Sequence, residues 1–541
     1  MIELDLNTRK TKGIFYTEDK EISALIFSVI NLDDLLNKPN LKILEPSCGD
    51  GTLILNIMDY IYERVGAKIL LHFLKVLYFN DISKSAVMEC FTNIHTKYQL
   101  LTGQKLDLTL NYFSEDFVDK ENCLMKMQFD YIIGNPPYVS YYGRRSVKKT
   151  ENLRNKYLQE YKQFAGIKNG KLNLIMLFIE NSLDILKING KLSFIVDANF
   201  TEKPYFLTRK HIQNVNCYIS KIIKNIACFA GVASGQLIIE VAKNENHSNP
   251  KEIVVFDYQT KENWLITNYD IKTEKNYKLN LTNLDQATLK ILSKIKQNTQ
   301  SYKTIYPTKT LRTSSMLLNL ENEFISEKIG NKELGEKQFY YYQGSKALSE
   351  KFVLKSTNKV LNYDKAKADK INEEIKLKLM QEGIKNKKRV MLGNEFSFAY
   401  PKIFIRQSAK QIITALDFTN STANNSLYMI CSNDKFIFNL TDLLFLNGYL
   451  NSDLITFFAQ KTNIIRFFKG KQPQISLSDL HLLPIIIEGK IKAEIASIAK
   501  KIIAKKIAID NGLKLINLIV YDFFKITKKE IKEIERSISL F

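Results

Sequence analysis

Residues 41–65 read LKILEPSCGDGTLILNIMDYIYERV, and this stretch decides the fold. The apolar run LKILE stops at the glycine-containing segment PSCGDG, and apolar residues at helical spacing follow it. We therefore predict a strand, a tight turn and a helix. Further apolar runs end at Asp81, Asp116 and Asn135, and helical patterns follow at 83–95 and at about 172–187. Strands that alternate with helices predict a mostly parallel sheet with helices on both faces.

Four polar residues stand at the ends of these four apolar runs. Parallel sheets bind ligands beyond the carboxyl ends of their strands, and Glu45, Asp81, Asp116 and Asn135 all fall at that edge. A single acid after a strand is usually a helix cap. Because four successive runs end in this way, we interpret the edge as a ligand site.

The segment EPSCGDGT (45–52) indicates what kind of ligand this is. Its glycines let the backbone approach a ligand closely, but the segment is neither G-x-G-x-x-G nor a phosphate loop that ends in G-K-[ST]. Asp81 is placed to accept hydrogen bonds from two ribose hydroxyls. Asp116 would bind an adenine amino group, and Phe117 would cover the ring face. We therefore expect a nucleoside cofactor without a phosphate chain, and S-adenosylmethionine is the obvious candidate.

The fourth apolar run ends in the tetrapeptide Asn135, Pro136, Pro137 and Tyr138. Two consecutive prolines continue neither a strand nor a helix, so the chain must turn rigidly. The amino group of a purine is a poor nucleophile, because its lone pair is delocalised into the ring. The Asn135 side-chain oxygen and the Pro136 carbonyl would accept its two hydrogens, and Tyr138 would stack on a base taken out of the duplex. For an isolated tetrapeptide, an ordinary turn is the alternative interpretation.

Composition favours a polyanionic partner. Lysine and arginine number 78 against 57 acids, a net charge of +21 over 541 residues. Bias in the coding sequence is the alternative cause of this charge. The six cysteines are scattered without C-x-x-C, so we expect neither a metal site nor a disulfide framework. The N-terminus has acids where a signal peptide would be apolar, and no uncharged run approaches the ~20 residues of a membrane span.

These segments resemble the N6-adenine DNA methyltransferases of the gamma arrangement, typified by the TaqI and BseCI modification enzymes. TKGIFYTEDK (11–20) is similar to the family's upstream cofactor motif, with Glu18 in place of the usual proline, and NPPY matches its catalytic motif. The resemblance implies a Rossmann-like, S-adenosylmethionine-dependent domain that methylates N6 of a flipped-out adenine, with catalysis by Asn135, Pro136 and Tyr138. The implied cofactor contacts are Tyr16, Thr17, Glu45, Pro46, Gly49, Gly51, Asp81, Ile82, Asp116 and Phe117, and the implied base-stacking residues are Tyr138 and Phe229.

The resemblance also implies two domains. Residues 1–245 would be the catalytic domain, and residues 246–541 a mixed α+β target-recognition domain. Apolar spacing after Ile491, with a break at Asn511 and Gly512, predicts that this domain ends in a helical hairpin. Cations interleaved with aromatic residues suit a phosphate backbone. The candidate DNA contacts are cations of this kind in the second domain: Lys346, Lys402, Arg406, Arg466, Lys469 and Lys471.

The function implied by the resemblance is methylation of double-stranded DNA, in a restriction-modification system or as an orphan methylase. We expect a cytoplasmic, nucleoid-associated monomer that needs no stable complex with a separately encoded restriction endonuclease. Enzymes that methylate RNA or protein glutamine also carry N-P-P-Y, but the large basic region disfavours them. A fused nuclease is disfavoured because about forty residues precede the first strand and no Pro-Asp dipeptide occurs. A DNA-binding protein without catalysis is disfavoured by the intact tetrapeptide.

Overall fold

The computed structural model describes residues 19–139, 148–161, 172–226, 235–245, 252–267, 279–307, 309–328, 333–344, 346–381, 389–467 and 472–540. The chain forms two compact units, of which the first ends at Leu281 and the second begins at Thr282. In the part of the chain that the structure describes, no helix has the length and apolar character needed to cross a bilayer.

Within the described residues, nine strands of the first unit form one sheet in the order β3-β2-β1-β4-β5-β7-β6-β8-β9. The pairs that join β3, β2, β1, β4 and β5 are all parallel. Strand β7 runs antiparallel to both β5 and β6. The strands are β1 (Ile43–Glu45), β2 (Leu77–Asn80), β3 (Asn111–Phe113), β4 (Phe129–Gly134), β5 (Leu186–Asp197), β6 (Cys217–Ile226), β7 (Gln236–Lys243), β8 (Glu252–Asp257) and β9 (Glu262–Thr267).

Helices cover both faces of this sheet. Alternate strand residues point to opposite faces, so Ile43 packs in one apolar cluster and its neighbour Leu44 in another. Glycine at position 51 precedes the first long helix after β1, whose buried face includes Ile54 and Ile57. The helices are α1 (Lys20–Phe27), α2 (Leu32–Asn37), α3 (Thr52–Val65), α4 (Ala67–Val76), α5 (Lys84–Thr102), α6 (Lys148–Glu160), α7 (Leu174–Ile185) and α8 (Phe206–Asn214).

The strand order places a topological switch point between β1 and β4. From β1 the chain passes to β2 and β3 on one side, then crosses back to β4 and β5 on the other. Open α/β sheets bind ligands at the carboxyl ends of the two strands beside such a point. Glu45 ends β1, and Asn135 directly follows β4.

The second unit combines small sheets with helices. Its strands are β10 (Thr299–Ser301), β11 (Leu311–Thr313), β12 (Ile325–Glu327), β13 (Gln338–Tyr342), β14 (Lys359–Asn362), β15 (Lys402–Arg406), β16 (Thr414–Asp417), β17 (Ser421–Ala423), β18 (Leu427–Ile430), β19 (Ile465–Arg466), β20 (Gln474–Ile475) and β21 (Pro484–Ile486). Four of them form a sheet in the order β11-β18-β15-β16, and four others in the order β12-β14-β13-β17. The mostly parallel first sheet and this mixed α+β second unit confirm the predicted fold class.

The helices of the second unit pack in two apolar cores, a larger and a smaller one. They are α9 (Gln286–Gln297), α10 (Tyr302–Ile305), α11 (Glu321–Phe324), α12 (Lys365–Gln381), α13 (Glu395–Ala399), α14 (Leu440–Leu450), α15 (Asp453–Lys461), α16 (Leu477–Leu480), α17 (Gly489–Ile503), α18 (Ile509–Phe523) and α19 (Lys528–Leu540). Helix α14 is buried on most sides and contributes Phe445 and Tyr449 to the larger core.

Two features differ from the sequence predictions. Strands β8 and β9 pair with the first sheet, so the first compact unit continues past residue 245 to Leu281. The chain ends in three helices rather than a hairpin, and the break after α17 falls at 504–508, where Lys505 has φ +55°. Gly512 lies inside α18, and a Cβ there would stand 2.4 Å from Cγ1 of Ile502 on α17. This glycine permits close packing of two helices and does not end one.

Candidate active site at the carboxyl edge of the first sheet

The loop after β1 has a backbone shape that glycine makes possible. Gly49 and Gly51 have φ of +54° and +89°, in the left-handed region that other residues rarely adopt. A Cβ on Gly51 would also stand 2.8 Å from Sγ of Cys90 on α5. The side chain of Asp50 accepts hydrogen bonds from the Thr52 backbone N–H and hydroxyl, at 3.0 and 2.7 Å. The loop is therefore held in one conformation where α3 begins.

Asp81 is held by the same loop. Its Oδ2 accepts a hydrogen bond from Gly49 N at 3.1 Å, and its Oδ1 accepts one from Ser83 N at 2.9 Å. The carboxyl is half-buried, and this burial raises its pKa. Each oxygen has one bond in the described structure and keeps acceptor capacity for a ligand hydroxyl.

Glu45 is the most buried acid of this edge. Its side chain is 1% exposed, and burial raises its pKa to about 8. Oε1 accepts a hydrogen bond from Ser47 N at 3.4 Å, while Oε2 has no hydrogen-bond partner among the described residues. The carboxyl lies against the end of β4, where a Cβ on Gly134 would stand 2.6 Å from Oε1. The ends of the two strands beside the switch point are therefore in direct contact.

The N-P-P-Y corner comes directly after Gly134 in the chain. Asn135 and Pro137 are partly exposed, whereas Pro136 is buried. The ring of Tyr138 packs against both apolar clusters of the first unit. The carbonyl of Val139 then accepts a hydrogen bond from Leu174 N at 2.8 Å, at the start of α7. The corner is thus fixed at both ends, by β4 and by α7.

The segment after β3 carries the two remaining predicted residues. The side chain of Asp116 is exposed, and its Oδ1 accepts a hydrogen bond from Val118 N at 3.2 Å. Phe117 is only 2% exposed, and its ring packs against Phe178 of α7 with 5.0 Å between ring centroids. By contrast, Ile82 leaves 70% of its side chain exposed beside Asp81. Ile82 is therefore the better placed apolar cover for a ligand at this edge.

Helix α7 connects the corner to this third segment. Its first residue binds Val139, as described above, and Nδ2 of Asn181 donates a hydrogen bond to Phe117 O at 2.8 Å. Lys120 reaches the same helix, with Nζ 3.2 Å from Glu180 Oε1 and 2.8 Å from Asp184 Oδ2. Sequence reasoning missed these contacts, because helical periodicity gives burial but not the partner of each side chain.

Several predicted site residues lie outside the described residues. These are Tyr16 and Thr17 of the upstream motif, the stacking candidate Phe229, and Lys469 and Lys471. Their roles stay predictions.

The predicted DNA contacts that the structure describes fall into two groups, side chains that reach solvent and side chains that are bonded within the fold. Lys346 is exposed and Arg406 is half-buried. Lys402 is 0% exposed, and its Nζ donates hydrogen bonds to Thr419 O at 2.7 Å and Ser421 Oγ at 3.3 Å. Arg466 donates to the buried carboxyl of Asp479. The prediction that Lys402 contacts DNA is therefore wrong, and the charge of Arg466 is used within the fold.

The edge fits a nucleoside ligand that also carries a positive charge. Asp81 and Asp116 offer acceptors for hydroxyl and amino groups. Glu45 offers a buried carboxyl with one oxygen unpartnered among the described residues. Within the described ranges, no group of three or more histidines, cysteines and acids could hold a metal ion. The donor set is thus suited to S-adenosylmethionine, which combines ribose hydroxyls, an adenine amino group and cationic centres.

Two family models match this chain. Residues 63–229 match the Eco57I restriction-modification methylase, and residues 262–485 match the TaqI-like C-terminal specificity domain. Among curated proteins, the type II restriction enzyme and methyltransferase RM.Eco57I of Escherichia coli is 30% identical over 140 residues, which are 25% of this chain and 13% of that protein. The type II methyltransferase M.HincII of Haemophilus influenzae is 30% identical over 161 residues, 29% of this chain and 30% of that protein.

A solved structure resembles the chain over nearly its full length. The type IIL restriction-modification enzyme MmeI, in complex with DNA, superposes with a TM-score of 0.61 at 13% identity, covering 99% of this chain and 80% of that one. At this identity the likeness concerns the fold. The alignments to the two curated relatives span less than a third of each relative's length.

Proposed function

Because the chain resembles a TaqI-like restriction-modification methylase with a C-terminal specificity domain, we propose that it is a DNA methyltransferase that transfers a methyl group from S-adenosylmethionine to N6 of a flipped-out adenine. The observation that carries the proposal is the N-P-P-Y corner, which begins at the switch point directly after Gly134, the residue that lies against the buried carboxyl of Glu45. A rigid pair of acceptors beside a cofactor edge suits activation of a planar amino group.

Residues of the first unit have separate roles in this proposed reaction. The side-chain oxygen of Asn135 and the carbonyl of Pro136 accept hydrogen bonds from the two hydrogens of the adenine amino group, which localises electron density on nitrogen. Tyr138 stacks on the base that has left the duplex. When bound, the cofactor supplies an electrophilic methyl group on a sulfonium. The new N–C bond would form as the C–S bond breaks, sulfur would keep the electron pair, and the proton lost from N6 would pass to solvent.

The acids hold the cofactor. Asp81 accepts hydrogen bonds from the ribose hydroxyls, and Asp116 accepts one from the adenine amino group of the cofactor. Glu45 faces the methionine ammonium, whose charge offsets the burial of an ionised carboxyl. Ile82 covers the ring of the cofactor's adenine.

The second unit is proposed to recognise the DNA sequence, since residues 262–485 match a specificity domain. The enzyme would act on double-stranded DNA in the cytoplasm as a monomer. It would either protect sites from a separately encoded restriction endonuclease or mark DNA as an orphan methylase.

The decisive experiment sequences DNA from cells that express the wild type or Asn135→Ala, with detection of N6-methyladenine and N4-methylcytosine. We expect N6-methyladenine in one sequence motif, reduced at least ~100-fold by the substitution, because the loss of one preorganised polar contact to the reacting group typically costs about this factor. Asn298→Ala is the control, since it changes an exposed asparagine of the second unit. Unmarked DNA together with methylated RNA or protein glutamine would transfer the proposal to those substrates, and N4-methylcytosine would change the target base.

A further inference from the structure

Asn80, the last residue of β2, bridges segments that the sheet itself does not join. Its side chain is 0% exposed. Nδ2 donates hydrogen bonds to Pro46 O and Glu115 O, both at 3.1 Å, and Oδ1 accepts one from Glu115 N at 2.9 Å. The amide therefore makes three hydrogen bonds to two loops, one after β1 and one after β3.

These bonds begin where strand pairing stops. The register of β1 with β2 ends at Glu45 opposite Phe79, and that of β2 with β3 ends at Asn80 opposite Phe113. Pro46 and Glu115 lie beyond those last pairs. The loops that carry Gly49 and Asp116 are thus tied to β2 by a side chain rather than by the sheet.

The backbone around Asn80 adds to the same connection. Its carbonyl accepts a hydrogen bond from Cys48 N at 2.8 Å, and the adjacent Asp81 accepts the N–H of Gly49. Each of the three loops that would bind the cofactor is therefore attached to this one position. Loop order of this kind lowers the entropy lost on binding a ligand.

We propose that Asn80 is a positioning residue, which holds the loops of Gly49, Asp81 and Asp116 in the single geometry that accepts the cofactor. The inference rests on the proposed function, since that function supplies the ligand. Asn80 would contact no substrate atom and would act only through the loops. Its loss should therefore raise the KM for S-adenosylmethionine and the Kd of S-adenosylhomocysteine, while kcat at saturating cofactor stays within threefold.

The second unit contains a matched control. Asn451 is also 0% exposed, and its Oδ1 accepts a hydrogen bond from Thr414 N at 2.9 Å. Its Nδ2 donates to Thr414 O at 3.0 Å and to Asn447 O at 2.9 Å. Both asparagines thus bond the N–H and the C=O of one residue and the carbonyl of another. Equivalent substitutions should cost similar stability, but Asn451 belongs to the second unit, and these bonds join it to Thr414 and Asn447 and to none of the proposed cofactor loops.

Substitution by aspartate gives a readout that general destabilisation does not. An ionised carboxylate at position 80 accepts from Glu115 N but cannot donate to Pro46 O or Glu115 O. A protonated carboxyl regains one O–H donor. Cofactor affinity of N80D, relative to wild type at the same pH, should therefore improve as the pH falls, whereas that of N80A should not.

The experiment measures binding of S-adenosylhomocysteine to the full chain by calorimetry for the wild type, N80D, N80A, N451D and N451A, with thermal unfolding without ligand. We expect at least tenfold weaker binding for both Asn80 variants, partial recovery of N80D at lower pH, and binding within twofold of wild type for both Asn451 variants. Equal binding by wild type and the Asn80 variants, or equal weakening by both pairs, overturns the inference. If an Asn80 variant does not fold, N80S, which keeps one hydroxyl donor, is measured in its place. Absence of binding by the wild type would instead refute the proposed function, and the inference with it.

Discussion

At the scale of single residues, Glu45 shows how burial prepares a binding group. A buried carboxylate without a cation is costly, so the proton is retained and the pKa rises, here to about 8. Before the cofactor binds, Glu45 is therefore largely uncharged at neutral pH. A cationic ligand would favour its ionised form, so binding and proton release would be coupled.

This burial has a measurable consequence for stability. The carboxyl of the unfolded chain has a pKa of about 4.3, so between that pH and about pH 8 the folded state binds more protons than the unfolded state. Wild-type stability contributed by this group is full below the window and is lost as the pH rises through it. Glutamine cannot titrate, so the free energy of unfolding of the wild type minus that of E45Q should fall by about 4 kcal/mol between pH 5 and pH 8.5.

Urea unfolding of the ligand-free protein at each pH, followed by circular dichroism, tests this expectation. Glu89→Gln is the control, because Glu89 is an exposed glutamate on α5 of the same unit. A difference between wild type and E45Q that stays constant across the pH range would mean that the Glu45 carboxyl is ionised in the fold at neutral pH.

At the scale of elements, the sequence predicted what local patterns determine. Apolar runs located β1, β2 and β4, and the polar residues after them lie at one edge as expected. Helical periodicity located α7. What it could not give was the bridge made by Asn80, because its partners Pro46 and Glu115 are 34 and 35 residues away.

The same limit explains the predictions that failed. From their residue types alone, Gly512 predicts a helix break and Lys402 predicts a phosphate contact. In the structure each residue is explained by a packing partner. A Cβ on Gly512 would meet Ile502 of the preceding helix, and Lys402 is buried beside Asp417, with 3.9 Å between Nζ and Oδ2. Glycine and lysine have a structural use as well as a local preference, and only tertiary packing decides between them.

Helix packing at Gly512 can be tested directly. Alanine normally stabilises a helix relative to glycine by up to ~1 kcal/mol, but here its Cβ would lie 2.4 Å from Ile502 Cγ1 and 3.1 Å from Ile507 Cδ1. We expect G512A to lower the free energy of unfolding by about 2 kcal/mol, through overpacking. Gly489→Ala is the control, since no atom lies within 4 Å of a Cβ there, and it should be neutral or stabilising. Chemical unfolding of both variants measures the difference, and a stabilised G512A would contradict the packing argument.

At the scale of the whole molecule, the count of 78 lysines and arginines overstates the number of cations that are free to meet a partner. Some cations of the second unit are used inside it. Lys294 lies 2.6 Å from Glu530, Lys351 lies 3.5 Å from Asp453, and Arg466 is paired with Asp479. Burial lowers the pKa of Lys402 to about 8, so this lysine begins to lose its charge as the pH approaches 8. A phosphate backbone would therefore meet only the exposed lysines and arginines.

Salt dependence of DNA binding separates the two kinds of cation. Each neutralised phosphate contributes about 0.9 to the slope of log Kobs against log salt concentration. If exposed Lys346 contacts a phosphate, K346A should reduce the slope by up to ~1 and weaken binding alike for every DNA sequence. K402M should leave the slope unchanged and lower the thermal stability, because Thr419 O and Ser421 Oγ lose a buried donor. Fluorescence anisotropy with labelled duplex from 50 to about 300 mM salt measures the slopes, and a slope that changes for K402M but not for K346A would reverse the assignment of the two lysines.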